Sequence, residues 1–151
     1  MHVGMLTNRK ATEQNKFTVI SFSCYNGGQR LKRKQSGAGS LVKLPNAERA
    51  VVEIDKLRNY CLNPDHRRGC HKARVFAAVL GLTIDDAGEL RDALLAAARN
   101  EDAEPGEHDE YGARYVVDFT VNGPAGQGMV RSSWIIRRGE GFPRLTSCYV
   151  L

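Results

Sequence analysis

From Leu44 onward, apolar and polar positions recur with two different periods, helical in the first half and alternating in the second. "ERAVVEI" is β-branched and of strand length, and Asp55 is placed to cap a short helix, "KLRNYCL", with Leu57, Tyr60 and Cys61 on one face. Asn63-Pro64 breaks that helix. A second helix is predicted from Cys70 or His71 to Leu80, with Ala73, Phe76, Val79 and Leu80 at helical spacing. Gly81 suits the left-handed residue that ends it. Thr83, followed by Asp86, starts a third helix, "IDDAGELRDALLAAARN", whose Ile84, Ala87, Leu90, Leu94 and Ala98 form a core-facing stripe.

Glu101 to Gly112 reads as a polar loop, and after it come only strands. "ARYVVDFTV" alternates, with Tyr115, Val117, Phe119 and Val121 on one face; "GMVRSSWIIRR" and "RLTSCYVL" follow the turn-forming "NGPAGQ" and "GEGFP". Short connections between consecutive strands favour an antiparallel meander. The predicted fold class is α+β: two to three N-terminal helices packed on a three- to four-stranded antiparallel β-meander, Ala50 to Ile54 supplying the fourth strand. Trp134 and Tyr115 are expected in the core. With the helices on one sheet face, the other is left for chemistry.

The composition, 151 residues with 42% hydrophobic and 26% charged, suits one soluble domain with a modest core. No apolar run reaches the ~18 residues of a membrane-spanning helix, so no membrane association is expected. "FTVISFSCY" follows basic residues as a signal peptide would, but its threonine and serines, with "RLKRK" soon after, favour a short strand or a non-globular stretch. The cysteines Cys24, Cys61, Cys70 and Cys148 have no framework spacing, so reduced thiols and a cytoplasmic location are expected. Cys61, His66, Cys70 and His71 give C-x4-H-x3-C-H, a spacing to weigh for zinc. Because Cys70 and His71 are adjacent, it departs from the usual ligand pairs, and no metal or cofactor is assigned.

Charge divides the chain. Residues 1–43 hold eight Lys or Arg against the single acid Glu13, while residues 44–151 hold 14 bases and 16 acids. The basic part contains "GGQRLKRKQSGAGS", whose linker composition outweighs its suitability for contacting phosphates non-specifically. Residues 1–42 are therefore read as a basic extension or a mis-assigned start, and 43–151 as the single domain.

Three segments, "KLPNAERAVVEIDKLRNYCLNPDHRRGCHKARVFAAVLG", "DEYGARYVVDF" and "VRSSWIIRRGEGFPRLTSCYVL", resemble in order the domain-of-unknown-function family 6883, a small bacterial module. The resemblance covers about Lys43 to Leu151. It implies a stand-alone protein or the C-terminal end of a larger polymorphic-toxin or phage-head polypeptide. The helices-then-meander order is similar to that of metal-independent RNase toxins of the barnase, EndoU, colicin and RelE type, an analogy of topology.

Metal-free RNA cleavage needs a base for the ribose 2′-hydroxyl proton, an acid for the leaving oxygen and fixed positive charge at the phosphorus. The stretch "NPDHRRGCHKARVF" offers His66 as base or acid, Lys72 beside a phosphate at a helix start, Gly69 for close backbone approach, and Arg74 as a further substrate contact. On the sheet, Arg131, Ser133, Ile135 and Arg137 share one face, and the neighbouring strand adds Thr146 or Ser147 and Tyr149. The catalytic candidates are thus His66, Lys72, Arg131, Thr146 and Tyr149, with Gly69, Arg74 and Arg137 binding substrate. Each has a plainer role: His66 as a turn or capping residue, Arg131 and Arg137 as partners of acids such as Asp118, and His71 and His108 as solvent-facing residues. Two functions follow. One is a metal-independent ribonuclease-like toxin acting on RNA and neutralised by a cognate immunity or antitoxin protein. The other is a non-catalytic protein-binding module using the free sheet face or the acidic stretch "NEDAEPGEHDEYG".

Overall fold

The computed structural model describes the backbone of residues 18–20 and the whole of residues 40–151. The rest of the basic extension, including its "RLKRK" run, lies outside the described residues. Six strands are described: β1 (Thr18–Ile20), β2 (Val42–Lys43), β3 (Asp102–His108), β4 (Gly112–Gly123), β5 (Gly126–Arg137) and β6 (Arg144–Val150). They form one antiparallel sheet in the order β2-β3-β4-β5-β6, and β1 pairs with the far half of β4, on the side that β3 occupies in the near half. Between β2 and β3 lie helix α1 (Ile54–Lys56, continued by a π-helical turn Leu57–Cys61), α2 (Cys70–Val75, continued by a π-helical turn Phe76–Leu80) and α3 (Ala87–Asn100). The α+β class and the helices-before-meander order are as the sequence predicts.

Alternation along β4 and β5 sends Val117, Phe119, Val121, Val130 and Trp134 to the helix side, where they meet Leu57, Phe76, Leu80, Leu90 and Leu94. Removing an aromatic side chain from water contributes on the order of 4–6 kcal/mol gross. Fully buried Phe76, Phe119 and Trp134 therefore anchor the layer. Ser132 is the polar residue in this face; its hydroxyl donates to Val117 O at 2.9 Å and accepts Trp134 Nε1 at 2.9 Å, so no group is left unsatisfied. Tyr115 packs partly buried against the same core.

The predicted punctuation holds at α2 and α3. Gly81 takes φ 71°, and its N–H closes on Ala77 O at 3.0 Å. At the start of α3, the Thr83 N–H and hydroxyl both donate to the Asp86 carboxylate, at 2.9 and 3.2 Å. Of the predicted stripe, Ala87, Leu90, Leu94 and Ala98 are buried, whereas Ile84 stays 36% exposed because it precedes α3 in a separate 3-10 turn.

Three local expectations change. Glu101 to Gly112 is not a loop: residues 102–108 form β3. β2 covers it only at Asp102 and Ala103, so from Glu104 onward it is an edge strand. Such an edge needs few apolar side chains and tolerates Pro105, whose missing N–H is not required there. Ala50 to Ile54 is not a strand either. Val51 alone bridges to Arg144, its N–H donating to Pro143 O at 2.9 Å and its carbonyl accepting from Leu145 N–H at 3.0 Å, before Ile54 opens α1. Asp55 accordingly sits inside the first turn, where its charge suits the helix dipole, and Glu53 occupies the N-cap without a side-chain bond.

Candidate functional site

Lys72 projects from α2 past Ala73, which is buried, and crosses the outer edge of β6. Its ammonium donates to Ser147 Oγ at 2.6 Å and to Tyr60 Oη at 3.4 Å. It also lies 4.8 Å from the Tyr60 ring centre and 5.7 Å from that of Tyr149. Cation–π attraction of this kind contributes about 0.5–2 kcal/mol, depending on desolvation, and fixes where the charge sits. Three elements, α1, α2 and β6, thus meet on one cation.

The cluster continues across the sheet. Tyr149 pairs with Arg131, and Arg131 with Asp118, so these three side chains form one row on the face away from the helices. Arg131 Nε and Nη2 donate to the two Asp118 oxygens at 2.8 and 2.7 Å. The Asp118 side chain is only 5% exposed, and that of Arg131 34%. The hydrogen bond to Asp118 shifts Arg131 upward, burial partly opposes it, and Tyr149 adds to the rise. Arg131 is first the neutralising partner of a buried carboxylate.

His66 joins through Tyr60. The two rings stand edge to face, centroids 5.0 Å apart at 89°. Nδ1 of His66 accepts the Gly69 N–H at 3.0 Å and the Arg68 N–H at 3.2 Å. With that lone pair engaged, the ring hydrogen belongs on Nε2, and His66 can donate there but cannot serve as a base. The same bonds occupy the N–H groups expected to greet a phosphate at the start of α2.

Gly69 also has a different reason from the one expected. A Cβ there would lie 2.0 Å from the Tyr60 carbonyl oxygen, so the glycine allows α2 to enter against α1. Thr146 occupies the bulge in the β5–β6 pairing and donates to Ser133 O at 3.0 Å; Ser147 supplies the hydroxyl in the cluster. Arg74 lines a separate apolar groove of about 420 Å³ with Leu62, Ala73, Ala77, Leu82 and Ile84. Arg137 lies six residues along β5 from Arg131, about 20 Å at strand rise, and outside the site.

Residues 43–151 match the family described as Domain of unknown function (DUF6883). The chain belongs to that family. No curated protein and no solved structure matches it. Within the DUF6883 domain, charge is unevenly spread. Residues 54–76 hold six bases, Lys56, Arg58, Arg67, Arg68, Lys72 and Arg74, against the acids Asp55 and Asp65. Among the described residues, Arg58, Arg67, Arg68 and Arg74 are exposed and make no ion pair. A domain with more acids than bases therefore carries a basic segment around Lys72.

Cys61 and Cys148 are both fully buried in the same core cluster. Among the described residues, the C-x4-H-x3-C-H side chains form no cluster that could hold a metal ion. Tyr60 was not separable from ordinary core residues by spacing, and Ser147 stood only as an alternative to Thr146. Only the fold brings positions 60, 72 and 147 together.

Among the described residues, no helix is long and apolar enough to cross a membrane.

Proposed function

We propose that the DUF6883 domain is a toxin-like ribonuclease that holds RNA across the β6 edge and cleaves it by 2′-hydroxyl attack, without recruiting a metal ion. The observation that carries this reading is the convergence of Lys72 with Tyr60, Ser147 and Tyr149 beside Arg131. Lys72 would stabilise charge on the pentavalent phosphorus, and the unpaired arginines of the α1–α2 segment would contact flanking phosphates. With His66 limited to donating from Nε2, the 2′-hydroxyl proton is relayed by Tyr149, which takes it while passing its own hydroxyl hydrogen to the leaving 5′-oxygen. Arg131 holds Tyr149 in line.

The test is incubation of the purified full chain with labelled single-stranded RNA in a chelator, beside Lys72→Met and Tyr149→Phe. Products ending in cyclic phosphate, reduced at least about 100-fold in both folded variants, are expected. Intact RNA with the folded wild-type chain would remove the enzymatic reading.

The groove beside Arg74 favours a second reading, a non-catalytic protein-binding module. Its wall is mostly apolar, and Ile84 there is 36% exposed, open to a partner's side chains. The wild-type chain would then leave RNA intact, and an Ile84→Asp variant would lose partner binding while staying folded.

A further inference from the structure

The apolar groove beside α2 is lined at depth by Leu62, Ala73 and Leu82, all buried, and higher up by Ala77 and Ile84, both exposed. Its lining also carries one charge of each sign. Arg74 comes from α2 and Asp85 from the 3-10 turn Ile84–Asp86 that leads into α3. Both are exposed, and among the described residues neither makes a hydrogen bond or an ion pair, with each other or with any neighbour. The Thr83 N–H and hydroxyl donate to Asp86, so Asp85 is not the carboxylate that caps the turn. The charge difference extends past the groove itself. Residues 54–76 hold six bases against two acids, whereas residues 84–92 hold the acids Asp85, Asp86, Glu89 and Asp92 against the single base Arg91.

We propose that this groove is a docking surface for a second copy of the same chain, two domains pairing about a two-fold axis so that Arg74 of each copy meets Asp85 of the other across facing Ile84 side chains. A two-fold interface is self-complementary: what one copy presents on one side of the axis, the other copy presents on the opposite side. An apolar surface with an unpaired base from one element and an unpaired acid from another meets that condition, because the rotation lays base on acid twice. A groove charged with one sign would repel its own copy and call for a partner of the opposite sign. Any other protein would need an acid and a base at the same separation on either side of an apolar contact. A second copy has them by construction.

The apolar side chains supply the attraction, and the charges set the register. Exposed ion pairs add little strength each, so the pairing belongs with small, reversible interfaces rather than obligate ones. Opposed charges of this kind steer the approach and penalise wrong alignments, and salt screens them. The inference rests on the second reading above only in taking the groove as a docking surface. It requires no loss of catalysis, since Lys72 is not among the residues that line the groove.

The test is sedimentation equilibrium of the full chain, in reductant, at concentrations up to about 200 μM. The wild-type mass is expected to rise from one chain to two, with a Kd on the order of 10 μM that weakens as salt is added. Arg74→Asp and Asp85→Arg should each weaken self-association at least about tenfold, because each sets like charges against one another twice. An equimolar mixture of these two variants should pair as tightly as wild type, since every facing position then holds one acid and one base; the double variant should do the same alone. Recovery on mixing also shows that both single variants are folded. A wild-type chain that stays monomeric, single variants that associate as wild type does, a mixture that fails to recover, or assemblies larger than two would each overturn the proposal. A monomeric wild type that still captures another protein through Ile84 would overturn the pairing and leave the second reading standing, so the two failures are told apart.

Discussion

Replacing Arg131 by methionine tests whether its guanidinium belongs to the fold before it belongs to a substrate. The change leaves the Asp118 carboxylate, 5% exposed, without its two-pronged partner. Breaking a fully buried pair from one side costs about 3–5 kcal/mol, and the 34% exposure of Arg131 lets some water replace it, giving about 2–3 kcal/mol. Asp118→Val removes the more deeply buried charge and frees a guanidinium that can reach solvent, so about 1 kcal/mol is expected. The double variant should lose about 1 kcal/mol as well, giving a coupling near 2 kcal/mol. The assay is urea unfolding followed by fluorescence of Trp134, the single tryptophan, which is 1% exposed and reports the core. At about 2 kcal/mol per molar urea, Arg131→Met should lower the midpoint by about 1 M or more. Additive losses, or a larger loss for Asp118→Val than for Arg131→Met, would refute the reasoning and return Arg131 to the substrate.

Gly69→Ala places a methyl group 2.0 Å from the Tyr60 carbonyl, so α2 must shift; a loss of at least about 2 kcal/mol in the same urea assay is expected. The Glu140 carboxyl is lowered from its ordinary 4.5 chiefly by the hydrogen bond from Arg144. A depressed carboxyl stabilises fully above its unfolded pKa, and the effect is lost as pH falls through the folded value. The thermal midpoint of Glu140→Gln should therefore lie below wild type at pH 6 and converge with it as pH falls below the ordinary carboxylate range; a gap that persists in acid would rule this out. Lys56→Met should increase self-association by light scattering and leave RNA cleavage intact, whereas Lys72→Met should stay monodisperse and lose cleavage. Swapped outcomes would reverse the roles of the two lysines.

Much of the fold was legible because burial leaves periodic traces. The stripe of α3, the alternation of β4 and the capping pair Thr83 and Asp86 each express a local geometric rule. β3 was illegible for the converse reason: held by backbone bonds to β4 and largely open on its other side, it needs only Ala103 buried, and its acids mimic a loop. The π-helical turns closing α1 and α2 also have no composition of their own. Within the site, residue type was informative and position less so. Lys72, Tyr149 and Arg131 were identifiable as polar groups on the right elements. Tyr60 was hidden among apolar positions, and Ser147 was separable from Thr146 only once the bulge had set which hydroxyl faces the edge.

Two lysines cross the outer edge of β6, and an edge strand guarded by lysines is an ordinary device against strand-to-strand association. That device explains Lys56, whose ammonium meets the Leu145 carbonyl and satisfies a backbone group no neighbouring strand takes. It does not explain Lys72. Its ammonium satisfies no backbone group and is held instead by a serine hydroxyl, a phenol and two ring faces. Protecting an edge needs a charge placed loosely in solvent, where side-chain entropy is kept; confining a four-carbon stem among three side chains gives that freedom up, at up to about 2 kcal/mol. A fixed ammonium gains little as a solubility device and much as a preset charge for a phosphate. The difference in what the two nitrogens touch, more than the presence of lysine at the edge, is what assigns chemistry to Lys72.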